Sequence, residues 1–183
     1  MSYCKAIPQM QGPERQSLHA RYHDHFYGFP IADDNELFGR LIMEINQAGL
    51  SWETILKKEE GFRRAYDNFD IAKVAAYDEN DVARLLADPG IIRNRLKVAA
   101  AIHNAEVILG LQQEYGSFAA WLEHHAPKPK EEWLRLFKKT FKFTGGEIVG
   151  EFLMSIGYLP GAHDPDCPVM ERIKAARPKW MSY

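Results

Sequence analysis

Apolar residues recur along this chain at intervals of three or four positions, which is the spacing of one helix face. After Asp33, for example, Leu37, Leu41 and Ile45 repeat every four residues, and Gly49 is placed to end the helix. A sustained alternation of apolar and polar residues, typical of a half-buried strand, does not occur. The pattern predicts an all-α fold.

Small polar residues stand immediately before several apolar stretches, where they would cap the helices. Ser51 precedes WETILKKEEGFRRAYDNF, which is expected to form one helix, and Asp70 and Asp78 precede two shorter ones. Pro and Gly pairs mark short connections, and no repeat, linker or low-complexity segment is evident. At 183 residues the chain is therefore expected to form a single compact all-α domain, residues 1–183.

The composition favours a cytoplasmic protein that makes no membrane contact. Hydrophobic residues make up 46% of the chain, enough for a sizeable core. No apolar run reaches the roughly 18 residues that a membrane-spanning helix needs. The first residues, MSYCKAIPQMQGPERQ, contain no apolar segment of the kind found in secretory signals.

The basic residues are unevenly distributed, although the net charge is only −2. A negative net charge argues mildly against nucleic-acid binding, but the distribution of the charged residues matters more than their sum. One basic cluster spans residues 84–97, another lies near residues 172–179, and a third contains Lys128, Lys130, Arg135, Lys138, Lys139 and Lys142. Either a solvated helix surface or a nucleic-acid-binding surface would account for each cluster.

The stretch LLADPGIIRNRLKVAAAI, within residues 79–110, has the pattern of a helix, a tight turn and a second helix. Gly90 could adopt a positive φ in the turn. Exposed N–H groups at the start of the second helix, together with Arg93 and Arg95, could hold a phosphate. This pattern is typical of a helix-hairpin-helix element that grips a DNA backbone, and a plain helix–turn–helix connection is the alternative.

Cysteine and histidine residues near the two ends of the chain form a candidate metal site. In a reducing compartment Cys4 and Cys167 are expected to be free thiols or metal ligands rather than a disulfide. With His23 and His163 they would make a Cys₂His₂ set, which suits tetrahedral zinc. His25 is a rival to His23, and a surface histidine beside a buried thiol is the alternative to any metal site.

Several motifs together carry a resemblance that covers nearly the whole chain. YHDHFYGFP, QAGLSW, GIIRNR, FKFTGG and HDPDC occur in the same order and at similar separations in one family. On these motifs the chain resembles bacterial 3-methyladenine DNA glycosylase I, an all-α family of the helix-hairpin-helix glycosylase superfamily. The resemblance implies hydrolysis of the N-glycosidic bond of N3-methyladenine in alkylated double-stranded DNA. It also implies that Cys4, His23, His163 and Cys167 hold a structural zinc that joins the terminal segments.

The resemblance also assigns a base pocket. Trp52 would stack on the flipped base, Tyr22 would form part of the pocket wall, and Glu44 would accept from the base and favour its positive charge. Glu44 lies three residues after Leu41 on an apolar helix face, where a carboxylate is costly to bury without a partner. The alternatives are a core tryptophan, a buried tyrosine with a bonded hydroxyl and a solvated glutamate.

The resemblance further implies a glycosylase without lyase activity. N3-methyladenine is cationic and already a good leaving group, so no strong general acid is required. EVILGLQQEYGSF, the region where most relatives in the superfamily place an Asp, contains none. No motif positions a lysine as a Schiff-base nucleophile.

The chain departs from the family pattern at positions expected near the pocket wall or the DNA. Ala6 and Tyr27 replace tryptophans, Phe26 replaces an acid, Ile45-Asn46 replaces Gly-Gln, and Gly146-Glu147 replaces a threonine pair. Tyr27 is accordingly expected to line the substrate pocket. Three alternatives remain open: a glycosylase for a different cationic alkylpurine, a weak or inactive relative that binds damaged DNA, and a zinc-stapled protein-interaction module. A monomer is expected.

Overall fold

A computed structural model describes residues 2–183, and within them it contains helices and turns but no strand, which confirms the prediction of an all-α fold. The helices are α1 Tyr3–Ala6, α2 Pro13–His25, α3 Asp34–Gln47, α4 Trp52–Lys57, α5 Glu59–Ala65, α6 Ile71–Ala75, α7 Glu79–Ala87, α8 Arg95–Tyr115, α9 Phe118–His125, α10 Lys130–Thr140, α11 Gly146–Ser155 and α12 Met170–Ala175. Short 3₁₀ turns occupy Ile7–Gln9, Asp67–Phe69 and Lys179–Ser182.

The chain divides into two compact units. One combines the described part of residues 1–30 with residues 150–183, and the other is the continuous segment 31–149. None of the described helices is long and apolar enough to cross a membrane.

In the unit of residues 31–149, the buried helix α3 is held by carboxylates at its start. The Asp33 side chain accepts from the Glu36 N–H at 2.9 Å and caps the helix. The Asp34 carboxylate accepts from the backbone N–H groups of Phe118 and Ala119 at 2.8 and 3.0 Å. One polar pair therefore begins α3 and joins it to the start of α9, while the apolar residues of α3 form the core.

The single helix predicted after Ser51 is interrupted. The segment forms α4 and α5, which are divided at Lys58 (φ −104°, ψ 3°). A 3₁₀ turn follows, in which Asp67, Asn68 and Phe69 all have positive φ, at 50°, 56° and 62°. This conformation places the Phe69 ring directly against Gly39 of α3, where a Cβ would lie 2.3 Å from a ring carbon. The turn thus inserts a large ring into a gap left by a glycine.

The unit of residues 2–30 and 150–183 contains a helix that the apolar pattern did not reveal. Helix α2 is mostly polar, and its C-terminal turn carries the YHDH stretch. Gly28 then turns the chain at φ 84°, and its N–H donates to the Ser155 carbonyl at 2.8 Å. A Cβ at Gly28 would lie 2.9 Å from the Ala162 side chain, so the chain passes too closely here for a larger residue.

Candidate metal centre and active site

Four side chains of one unit converge on a single point. The donor atoms of Cys4, His23, His163 and Cys167 all lie within 4.8 Å of one another. His23 Nε2 lies 3.2 Å from Cys4 Sγ and 3.8 Å from Cys167 Sγ. His163 Nδ1 lies 3.8 and 3.5 Å from the same two sulfurs. The four positions that were paired on the sequence are therefore adjacent in space.

The four candidate ligands lie in different elements of the unit. Cys4 lies in α1, which Ser2 caps, and the Ser2 hydroxyl donates to Asp164 at 2.5 Å. The Asp164 N–H in turn donates to Cys4 Sγ at 3.3 Å. His23 is in the last turns of α2, and Cys167 lies in the non-helical segment before α12. Helix α1 is thus hydrogen-bonded to the loop that bears His163 and Cys167.

Both histidines are oriented by their outer nitrogens. His163 Nε2 donates to the Tyr27 carbonyl at 2.7 Å, which leaves Nδ1 directed at the sulfurs. His23 Nδ1 donates to the Asp24 carboxylate at 2.6 Å, which leaves Nε2 directed at the sulfurs. Hydrogen bonds of this kind fix the tautomer and raise the basicity of metal-binding imidazoles.

The four nitrogen–sulfur separations are close to those expected around a tetrahedral cation. Zinc bonds of about 2.3 Å to sulfur and 2.0–2.1 Å to nitrogen place neighbouring donors roughly 3.3–3.8 Å apart. Burial raises the pKa of the Cys4 thiol to about 11, and the neighbouring Cys167 thiol adds to the rise. A divalent cation would oppose that effect, because it holds both groups as thiolates. The rival His25 lies outside the cluster, exposed, with Nδ1 3.4 Å from an Arg172 nitrogen.

Two of the predicted pocket residues lie in this same unit, beside the Cys₂His₂ cluster. Tyr22 and Tyr27 are buried, with ring centroids 5.6 Å apart, and the Tyr3 ring lies edge-on to Tyr27 at 5.7 Å. The Tyr27 hydroxyl donates to the Glu151 carboxylate at 3.1 Å. Tyr27 therefore contacts Glu151 with its side chain and the ligand His163 with its backbone.

The other two pocket residues lie in the unit of residues 31–149, on consecutive helices. Glu44 is on α3 with only 3% of its surface exposed, and Trp52 begins α4 and is half-buried. The turn between these helices, Gln47–Gly49, and the segment Gly145–Ile148 line a cavity of about 430 Å³. The burial of Glu44 argues against the interpretation of this residue as a solvated carboxylate.

Lys97, which the sequence placed in the basic cluster of residues 84–97, is not a surface residue of that cluster but is buried and holds this turn. Lys97 is 5% exposed, and its Nζ donates to the carbonyls of Asn46 and Ala48 at 2.9 and 2.8 Å. Burial lowers the pKa of Lys97. Its place on the buried face of α8, four residues before Ala101, is the one signal that could have identified it.

The predicted hairpin has the expected helices but a different turn. Asn94 caps α8 by accepting from the N–H groups of Leu96 and Lys97 at 3.0 and 3.1 Å, and Arg93 and Arg95 are exposed beside it. Gly90 does not have the positive φ that was expected. A Cβ on Gly90 would lie 2.8 Å from an Arg64 nitrogen and 2.9 Å from an Asp88 carboxylate oxygen. The closer backbone contact concerns Gly61 of α5, where a Cβ would lie 2.2 Å from the Gly90 carbonyl oxygen.

Comparison with known proteins accords with these features. The methyladenine glycosylase family profile matches residues 13–135. DNA-3-methyladenine glycosylase 1 of Escherichia coli is 36% identical, and the match covers 76% of this chain and 85% of the relative. DNA-3-methyladenine glycosylase of Haemophilus influenzae is 33% identical, and the match covers 84% of this chain and 92% of the relative.

A solved structure extends the likeness to the fold. The 3-methyladenine DNA glycosylase I of Staphylococcus aureus, whose structure addresses 3-methyladenine recognition, is 31% identical with a TM-score of 0.78. The alignment covers 92% of this chain and 97% of that one. The chain therefore belongs to the methyladenine glycosylase family.

Proposed function

We propose that this protein is a DNA glycosylase that releases N3-methyladenine from alkylated double-stranded DNA. The observation that carries the proposal is the burial of Glu44 on α3, three residues before the QAGLSW motif, in a chain of the methyladenine glycosylase family. A buried carboxylate favours a cationic ligand, and N3-methyladenine is a cationic base.

The reaction is hydrolysis of one N-glycosidic bond. Water adds to C1′ of the sugar as the bond from C1′ to the base breaks, and the bonding electrons leave with the cationic base, which departs neutral. The attacking water loses one proton to solvent and becomes the hydroxyl group on C1′. Trp52 would stack on the extruded base, and Glu44 would accept from it and stabilise its positive charge. Tyr22 and Tyr27 would form pocket walls. These residues would thus bind the cationic base, whose own charge makes it a good leaving group, so no strong general acid is needed.

We further propose that the enzyme is monofunctional. A lyase reaction needs an amine that attacks C1′ and forms a Schiff base. Lys97 is the buried lysine next to the Gln47–Gly49 turn, and its ammonium donates to two backbone carbonyls. An ammonium engaged in this way is a poor nucleophile, which supports hydrolysis by water alone.

DNA would be held by a helix-hairpin-helix element formed by α7, the turn at residues 88–94 and α8. Gly61 of α5 lets this helix pack closely on the turn at the Gly90 carbonyl, while Arg93 and Arg95 are exposed at the start of α8. Backbone N–H groups and arginines at such a helix start suit phosphate groups, and they read no sequence.

The Cys₂His₂ cluster would bind zinc in a structural role. Four protein ligands leave no open position for water or substrate, as is typical of structural zinc sites. The ligands come from α1, α2 and the segment before α12, so the ion would cross-link the terminal segments. A monomeric, cytoplasmic enzyme of residues 1–183 is the simplest form consistent with this arrangement.

Release of free base from methylated DNA tests the function. Wild-type protein should release N3-methyladenine, and Glu44→Gln and Trp52→Ala should each lower the rate at least about 100-fold while folding normally. Glu14→Gln, an exposed acid in the first turn of α2, is the matched control and should leave the rate unchanged. DNA binding without release by the wild type would favour the non-catalytic alternative. The absence of both would favour the interaction module.

A further inference from the structure

A basic groove outside the predicted hairpin lies along one side of α10. Helix α10 and the segment that follows it enclose a groove of about 620 Å³, lined among others by Arg135, Lys138, Phe143 and Gly145. Arg135 and Lys138 are exposed, and none of the lining residues, all within the described chain, is acidic. The groove therefore presents positive charge that its own lining does not neutralise.

An aromatic ring is held in this groove by an unusual backbone conformation. Phe143 has φ 60°, in the left-handed region that bulky residues rarely adopt, and 38% of its surface is exposed. Asn104 holds the preceding residue through both backbone groups of Lys142, at 2.8 and 3.1 Å. The Thr144 hydroxyl donates to the Phe137 carbonyl at 3.1 Å. These bonds fix an unfavourable conformation that keeps a ring partly in solvent, as is common at binding sites.

The groove is continuous with the cavity beside the Gln47–Gly49 turn. The two share Gly145, Gly146 and Ile148 as lining residues. The ring of Phe143 also lies 5.9 Å from the ammonium of Lys97, the residue that holds the turn. If one nucleotide of a DNA strand occupied the cavity beside the turn, the neighbouring nucleotides of the same strand could therefore lie in the basic groove.

We propose that this groove binds the DNA strand adjacent to the extruded nucleotide. Arg135 and Lys138 would contact its phosphates, and Phe143 would pack against a neighbouring base or sugar. Basic side chains that follow a backbone, together with an aromatic ring for a base, are the usual elements of a strand-binding groove. The proposal rests on the proposed glycosylase function and adds a contact surface separate from the hairpin.

Salt-dependent binding tests the groove. The probe is a duplex with a central tetrahydrofuran abasic-site analogue, titrated at several salt concentrations. The variant Arg135→Gln/Lys138→Gln should reduce the slope of log affinity against log salt by about 1.8, because each phosphate contact contributes about 0.9. The control Lys73→Gln/Lys174→Gln removes the same charge from exposed sites elsewhere and should retain the wild-type slope. Phe143→Leu should weaken binding about fivefold without changing the slope.

The outcomes separate this proposal from the function on which it rests. A double variant with the wild-type slope, while the wild type still binds the duplex and releases base, overturns the groove alone. A wild type that neither binds nor releases base overturns both. If all the variants keep the wild-type circular dichroism and thermal midpoint, a reduced slope confined to the groove variant supports the proposal and cannot be assigned to misfolding.

Discussion

The ammonium of Lys97 lies 2.8 Å from the carbonyl oxygen of Ala48, and this contact joins the first turn of α8 to the turn that follows α3. A helix end that carries a partial negative charge suits a cation placed there. The same turn of α8 begins at the hairpin, and α3 carries Glu44. The Lys97 side chain would thus set the distance between the proposed DNA-binding hairpin and Glu44 of the proposed base pocket.

Lys97→Met should therefore be destabilising and impair catalysis. The substitution keeps most of the side-chain volume but leaves two carbonyls without their donor, and we expect a loss of about 2–3 kcal/mol in the free energy of unfolding. Urea unfolding measures it, and kcat should fall more than DNA affinity does. Lys73→Met, on an exposed face of α6, is the control. Equal stability of the two variants would contradict the role of Lys97.

Metal removal should destabilise the protein. An ion held at about 100 to 1,000 times its dissociation constant contributes about 3–4 kcal/mol, so chelation should lower the melting temperature by roughly 10 °C. Cys4→Ser should have a similar effect and lose the bound zinc. His25→Ala is the matched control, because His25 is close in the chain but outside the cluster. Wild-type protein with far less than one equivalent of zinc would refute the site.

The Glu36–Arg63 pair should make stability depend on pH in the acid range. Both guanidinium nitrogens lie 2.7 Å from the carboxylate oxygens, and this hydrogen bonding lowers the pKa of Glu36. Since the pKa is lower in the folded than in the unfolded state, the stabilisation is complete above about pH 5 and is lost as pH falls through the folded value.

The effect of the pair should be modest, because 45% of the Glu36 side chain is exposed, so we expect less than about 1 kcal/mol. Unfolding free energies of wild type and Glu36→Gln, measured from pH 7 to pH 3, should converge towards the acid end. In an Arg63→Gln background the same substitution should have little pH-dependent effect. If Glu36→Gln had the same pH-dependent effect in the Arg63→Gln variant as in the wild type, the pH dependence would not arise from the Glu36–Arg63 pair.

Gly61→Ala should displace the hairpin. The new Cβ would lie 2.2 Å from the Gly90 carbonyl oxygen, a backbone atom that cannot rotate away. We expect a loss of about 3 kcal/mol in the free energy of unfolding and weaker DNA binding. Gly110→Ala, where a Cβ meets no atom within 4 Å, should instead stabilise helix α8 by about 0.5–1 kcal/mol. Similar effects at both glycines would argue against the close contact.

Local features of the fold were predictable from sequence, because a helix cap depends on neighbouring residues alone. The side chain of Asp70 accepts from the Lys73 N–H at 3.0 Å, and Asp78 forms a capping box with Asp81, both at predicted helix starts. Ser51 likewise begins α4. The interruption at Asp67–Phe69 was not predictable, because its cause is the distant Gly39.

The candidate site, like the fold, was only partly predictable from the sequence. Residue types and motifs identified the Cys₂His₂ set, and the structure brings its members together. Helix α2 was missed because its residues are mostly polar and give no periodic apolar signal. The role of Lys97 was missed because its ammonium donates to carbonyls about 50 positions earlier in the chain, which only folding brings within reach.

The order in which the metal ligands are synthesised has a consequence for assembly. His23 and Cys167 are 144 positions apart, and the whole segment 31–149 lies between them. On the ribosome, Cys4 and His23 emerge long before their partners, and a nascent chain presents two ligands while the intervening unit is being translated. The proposed cross-link could close only after Cys167 has emerged, so zinc capture would follow translation of the central unit. Until then Cys4 would be an accessible thiol, and its oxidation at that stage would block the site until the thiol was reduced again.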